Sequence, residues 1–149
     1  MSDVRTTRLP IDEYFIRIAL TASERSTCRH RQQGAVLVRD KRIISTGYNG
    51  APPGQPHCLD MDCAKAYGAP CRAEGLHGES NAILSAAFMG VSTRGSTCYC
   101  VYSPCLSCCN MLKVAGIIEV VYLEVYSNYK EGPAYLESLG IKQRKLNEE

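Results

Sequence analysis

The chain has 149 residues, of which 45% are hydrophobic and 21% charged, the size and composition of one ordinary globular domain spanning 1–149. It has no run of about 18 apolar residues to span a bilayer, and Met1-Ser2-Asp3-Val4-Arg5 lacks the apolar core of a secretory signal, so a cytoplasmic protein with no membrane partner is expected. A formal net charge of +2, evenly spread, argues against a nucleic-acid partner, since phosphate-backbone binders gather Lys and Arg on one face.

In chain order, Ile11, Tyr14, Phe15, Ile18 and Ala22 recur at spacings of three and four, which predicts an amphipathic helix over 10–26 begun by Pro10. The apolar runs 34–38 and 42–46 flank a charged turn at Arg39-Asp40-Lys41 and read as an antiparallel hairpin. From 47 to 76 no period is sustained and Gly and Pro punctuate the chain; a connection of that length needs a function or an internal clamp. A helix over 79–89 ended by Gly90, a strand over 97–102, a helix over 105–115 ended by Gly116 and an apolar strand over 117–123 follow. A short helix near 133–139 and a last strand over 141–145 complete the pattern. The alternating portion implies a mostly parallel sheet. Right-handed crossovers would set the helices that begin near His77 and Cys105 side by side on one face.

Nine cysteines, an odd number in a chain without a secretory signal, read as metal ligands and reduced thiols rather than a disulfide framework. Two short motifs account for part of the count: His77-Gly78-Glu79, and Pro104-Cys105-Leu106-Ser107-Cys108 about thirty residues later. Together they match the H-x-E and P-C-x-x-C signature of zinc-dependent base deaminases. One imidazole and two thiolates are three ligands of the kind zinc prefers, with a fourth tetrahedral position left for water, the layout of a catalytic site. Cys105 and Cys108, three apart at a helix start, project their sulfurs from one face, and the helix dipole favours their thiolates. Zinc brings the pKa of its water to about 7, and Glu79, two residues from a ligand, is the candidate to move protons. Cys98, Cys100 and Cys109 read as packing residues.

The chain resembles the deoxycytidylate (dCMP) deaminases of the cytidine deaminase superfamily. The likeness runs from about Ile11 to Leu146 through Ser26-Thr27-Cys28, Gly34-Ala35-Val36-Leu37-Val38, Thr46-Gly47-Tyr48-Asn49-Gly50-Ala51-Pro52, His77-Gly78-Glu79-Ser80-Asn81-Ala82-Ile83 and Ser103-Pro104-Cys105-Leu106-Ser107-Cys108. It implies an α/β, three-layer α-β-α fold around a five-stranded mixed sheet, and hydrolysis of dCMP to dUMP and ammonia. It also implies a homo-oligomer, a trimer or hexamer, regulated by dCTP and dTTP with Mg2+. Asn49 is implied to approach the sugar and Asn81 to support the site from the zinc helix. Members of this family can hold a second, structural zinc with a cysteine of the first helix and a cluster before H-x-E. Cys28, Cys58, Cys63 and Cys71 fall at matching places, with His57 as a substitute for one sulfur, and such a clamp would tie down the 47–76 segment.

Three positions depart from the family's usual pattern. Gly78 stands where Ala or Val is normal, which adds backbone freedom beside a ligand; Val101 replaces a common Thr; and Phe88-Met89 occupies a place where a basic residue is frequent. A monophosphate needs Arg, Lys or backbone N–H groups, and among Arg29, His30, Arg31 and Arg72 the chosen candidate is Arg31. Competing readings are a deaminase of another cytosine or adenine nucleoside or nucleotide, or a catalytically silent zinc-binding, nucleotide-sensing module. The intact Glu79 argues against the last, since a purely structural metal site has no use for a proton shuttle.

Overall fold

The computed structural model describes residues 4–147. Helix α1 (Ile11–Ser23) leads into strands β1 (Gly34–Arg39) and β2 (Arg42–Tyr48). After a long segment with one 3-10 turn (Ala64–Tyr67) come α2 (Gly78–Met89), β3 (Thr97–Tyr102), α3 (Leu106–Val114), β4 (Glu119–Glu124), α4 (Gly132–Ser138) and β5 (Lys142–Lys145). The strand order is β2-β1-β3-β4-β5. Strands β3, β4 and β5 run parallel, as the alternating pattern predicts, and β1 is antiparallel to β2, as the hairpin predicts, and also to β3, so the five-stranded sheet is mixed, as the family resemblance implies. Among the described residues no helix is long and apolar enough to cross a membrane.

The central strands are apolar on both sides because both sides are covered. Ala35 and Leu37 of β1 and Cys98 and Cys100 of β3 face a core with Ala82, Cys109, Leu112 and Leu136, from α2, α3 and α4. Val36, Val38, Tyr99 and Val101 face the opposite way, toward Phe15, Ile16 and Ala19 of α1. Period-two alternation thus divides one apolar strand between two cores. Cys98, Cys100 and Cys109 are buried in this packing, as expected.

Helix α2 reaches the sheet through small residues. A Cβ on Gly47 of β2 would stand 2.3 Å from the Ala82 N and 2.4 Å from the Gly78 O, so helix and strand meet backbone to backbone. Ser45 Oγ donates to the Ala82 carbonyl at 2.7 Å, and Asn81 Nδ2 donates to the Tyr48 carbonyl at 2.5 Å. At the far edge Arg144 of β5 pairs with Asp12 at 2.8 Å and with Glu119 at 2.8 Å, while the Tyr99 hydroxyl donates to Asp12 at 2.7 Å. The Arg144 guanidinium holds the Asp12 carboxyl below its ordinary range.

The irregular segment begins at Asn49, since Gly47 and Tyr48 belong to β2. Its ends are pinned together: the Gly50 N–H donates to the Leu76 carbonyl at 3.2 Å. The Thr27 N–H donates to the Asn49 carbonyl at 3.3 Å, the Ala51 N–H donates to Thr27 Oγ1 at 3.1 Å, and Arg29 donates to the Cys58 carbonyl. The segment is therefore strapped to the turn that follows α1.

Candidate active site

The two motif helices deliver their first residues to one point. His77 is the N-cap of α2 and Cys105 the N-cap of α3, both with extended backbone, so each side chain leaves its helix at the mouth. Ser80 Oγ fixes the approach of His77: it accepts from the His77 N–H at 2.9 Å and donates to the Gly75 carbonyl at 2.7 Å. Nδ1 of His77 lies 3.3 Å from the sulfurs of both Cys105 and Cys108. The ligand atoms of His77, Cys105 and Cys108 all lie within 4.8 Å of one another, and among the described residues they form the one His/Cys/Asp/Glu group of three or more so gathered. One imidazole nitrogen and two thiols facing one point suit a tetrahedral zinc with one position open.

The electrostatics of these protein groups show a strained charge arrangement. Cys105 is held down to about 3, chiefly by its hydrogen bond with Cys108, while Cys108 is pushed well above the ordinary thiol range by Cys105 and by burial. Two adjacent sulfurs thus share one proton, and a cation among them removes the reason to keep it. The Cys105 partner also raises His77. Glu79 is 2% exposed, and burial pushes its carboxyl up to about 7. A carboxyl poised there both accepts and releases a proton near neutral pH.

Glu79 and His77 open onto a cavity of about 270 Å³, shared with Cys105, Arg31, Gln33 and Asn49. Arg31 borders it with its guanidinium stacked 4.1 Å from the Tyr126 ring centre and 5.2 Å from that of Tyr102. Asn49 is also at the wall, but its amide is engaged: Oδ1 accepts from the Gln33 N–H at 2.9 Å and Nδ2 donates to the Arg31 carbonyl at 3.0 Å. It thereby fixes the segment that carries both residues. Asn81 does not line this cavity; its bond to Tyr48 places it behind α2 as a brace between helix and β2.

Cys28, Cys58, Cys63 and Cys71 all border the same cavity, from two separate pieces of chain. Cys28 lies beyond the end of α1 rather than within it. Among the described residues these four sulfurs make no group of three within 4.8 Å. Arg72 approaches Cys58 Sγ at 3.8 Å, and the His30 N–H approaches Cys28 Sγ at 3.4 Å. His57 is turned elsewhere, 3.2 Å from Asp60.

Sequence reasoning overlooked Gln33. It is 7% exposed, and its Nε2 donates to Glu79 Oε1 and to the Tyr102 carbonyl, both at 2.9 Å, while its Oε1 accepts from the Tyr102 N–H at 3.0 Å. A lone Gln before an apolar strand carries no signal of this; only the pairing of β1 with β3 brings it to Glu79. Gly78 likewise differs from expectation. It is buried and packed against Gln33, where an added Cβ would sit 2.9 Å from Gln33 Cγ, so its small size rather than backbone freedom is what the site uses.

Comparison with known proteins agrees with this geometry. Residues 9–124 match the family described as the cytidine and deoxycytidylate deaminase zinc-binding region. ComE operon protein 2 of Bacillus subtilis (strain 168) is 37% identical over 134 residues, 90% of this chain and 70% of that protein. The deoxycytidylate deaminase of Saccharomyces cerevisiae is 38% identical over 144 residues, 91% of this chain but 45% of the yeast protein, so the chain spans under half of that relative. Among solved structures, the dCMP deaminase of cyanophage S-TIM5 in complex with dCMP and dUMP superposes with a TM-score of 0.80 at 30% identity, covering 91% of this chain and 96% of that one.

Proposed function

As this chain belongs to the cytidine and deoxycytidylate deaminase zinc-binding family, we propose that it hydrolyses dCMP to dUMP and ammonia. The observation that carries this reading is the meeting of His77, Cys105 and Cys108 at one point beside a buried, proton-poised Glu79 on the wall of a single cavity.

His77, Cys105 and Cys108 would hold the catalytic Zn2+, whose chemistry is to acidify water to near neutrality. Glu79 takes one proton from that water and hands it to the pyrimidine ring nitrogen next to the amino-bearing carbon. Once the oxygen is bonded to that carbon, Glu79 passes the second proton to the amine, and the carbon–nitrogen bond breaks as the carbonyl double bond forms, so ammonia leaves neutral. Arg31, backed by Tyr102 and Tyr126, supplies a fixed cation for the 5′-phosphate. Asn49 sits at the wall for the sugar, and Asn81 keeps α2, and with it His77 and Glu79, at a set distance from β2.

A second, structural Zn2+ on Cys28, Cys58, Cys63 and Cys71 is part of the proposal, supported by the convergence of all four on one cavity. Metal analysis of freshly purified protein should give two zinc ions per chain; one ion removes the structural site. Nine free thiols are in keeping with a reducing, cytoplasmic setting, and a single sheet carrying both motif helices supports residues 1–149 acting as one catalytic unit. Assembly as a trimer or hexamer follows from the family reading, and apolar residues left in water on α2 and α3, Phe88 at 89% and Val114 at 89% exposed, support self-association. Analytical ultracentrifugation tests it. Regulation by dCTP and dTTP with Mg2+ follows from the family reading, with no nucleic-acid or membrane partner.

The deciding experiment incubates zinc-loaded protein with dCMP, CMP, deoxycytidine, dCTP and adenosine and measures ammonia. Release from dCMP in preference to the others is expected. Release from none, with dCTP also tried as activator, overturns the assignment.

A further inference from the structure

We propose that Gln33 is the positioning residue of the proton shuttle, and that Gly78 lies between His77 and Glu79 because a side chain there would displace Gln33. This rests on the reading of Glu79 as the group that moves protons.

Gln33 is held at both ends. Its backbone N–H donates to Asn49 Oδ1 at 2.9 Å and its carbonyl accepts from the Asn49 N–H at 3.2 Å. Its side-chain amide grips the end of β3 through the N–H and carbonyl of Tyr102, at 3.0 and 2.9 Å, like one more rung of the sheet. Only after that grip does the remaining N–H reach Glu79 Oε1 at 2.9 Å. An amide fixed by two other bonds cannot follow the carboxylate, so the carboxylate must come to it; the arrangement sets the place of Glu79 rather than merely filling space. A hydrogen bond to a buried carboxylate also offsets part of its desolvation.

Room for this grip exists only because residue 78 has no side chain. A Cβ at Gly78 would stand 2.9 Å from Gln33 Cγ and 3.2 Å from the Gln33 carbonyl carbon and oxygen. The Gly78 backbone is helical, with no positive φ that would demand glycine. Glycine in a helix is less favourable than alanine, so its presence answers the crowding by Gln33 and not a need of the backbone. Gln33 and Gly78, 45 positions apart, therefore form one coupled unit behind Glu79.

The test uses zinc-loaded protein and four variants: Gln33→Ala, Gln33→Glu, Gly78→Ala and the double variant Gln33→Ala/Gly78→Ala. Each is measured for zinc content, denaturant midpoint, and kcat and KM for dCMP. Gln33→Glu keeps shape and an acceptor for the Tyr102 N–H but sets a second carboxyl against Glu79, so that the two compete for one proton in place of the fixed amide donor. Both Gln33 variants should lose tenfold or more in kcat, with zinc retained and KM within about twofold. Gly78→Ala should lower kcat and midpoint in the parent and cost less in the Gln33→Ala background, where Cγ is gone and only the 3.2 Å approach to the residue 33 backbone remains. Equal costs of Gly78→Ala in the two backgrounds overturn the coupling. An unchanged kcat in Gln33→Ala, whether or not Gln33→Glu folds, overturns the positioning role. If the parent releases no ammonia from dCMP, the functional reading fails separately. The midpoints then still decide the coupling, and the Glu79 side-chain position in crystals of Gln33→Ala, expected to move, decides the positioning.

Discussion

Replacing Glu79 with Gln should make the protein more stable and nearly inactive. The carboxyl is 2% exposed, and burial raises it from an ordinary 4.5 to about 7. A carboxyl that binds its proton more tightly in the folded chain favours folding at low pH. That advantage is present below 4.5, declines as pH rises to about 7 and is absent above. Each tenfold change in proton affinity is worth about 1.4 kcal/mol, so the span from 4.5 to about 7 costs the folded state about 3 kcal/mol at pH 8. Glutamine has the same shape, no charge to desolvate, and still accepts from Gln33. Guanidinium denaturation with zinc chelated, so that only the protein's own groups act on the side chain, should find parent and variant alike at pH 4.5. At pH 8 the variant should be ahead by about 3 kcal/mol. With zinc bound, its kcat should fall by about 10²- to 10⁴-fold. Parallel pH dependences, or a variant less stable than the parent at pH 8, would refute the claim that burial sets the carboxyl's affinity.

Three further substitutions probe the surroundings. Arg31→Ala should raise KM for dCMP by about tenfold or more, the worth of one charge-assisted contact, and leave deoxycytidine almost unaffected; equal effects on both would assign Arg31 to something other than the phosphate. Gly47→Ala forces a methyl to within 2.3 Å of the Ala82 N; urea denaturation should show a loss of about 1–3 kcal/mol, and chelator competition a weaker zinc site as α2 shifts. Asp12→Asn removes a carboxylate held low by Arg144, an interaction present above the ordinary 3.8 and lost as pH falls through the lowered folded value. Because Arg144 is 48% exposed, the cost at pH 7 should be at most about 1 kcal/mol, shrinking as pH falls below the ordinary carboxylate range.

The elements were legible where one physical signal was strong. Period and punctuation locate α2, β3, α3 and β4 to within about two residues of their observed ends, because a strand covered on both sides must be apolar throughout and Gly90 can end a helix in the left-handed region. The gathering of His77, Cys105 and Cys108 was legible because His, Cys and Cys at helix starts have few other uses in that combination. What stayed hidden depends on sheet order. Antiparallel pairing of β1 with β3 pits Ala35 against Cys100, and this lays Gln33 beside Tyr102, 69 positions away. Nothing local to Gln33 encodes that contact. Gly78 was misjudged for the same reason: its meaning lies in a neighbour 45 positions upstream. Asn49 borders the cavity, but the hydrogen bonds that occupy its amide come from Gln33 and Arg31, which it faces only after folding.

The hydrogen bond between Gly50 and Leu76 closes the irregular segment into a loop whose two ends touch. What this loop contributes to the cavity wall, from Ala51 to Ala73, is held by that closure together with the straps to the turn after α1, while His77, Glu79, Cys105 and Cys108 stand at the starts of α2 and α3. One side of the cavity wall is thus a loop anchored at its ends and at Cys58, and the other is built on the helix starts and the ends of the strands. A substitution on the loop side therefore reshapes what the cavity admits, while His77 keeps its own bond to Ser80 at the start of α2.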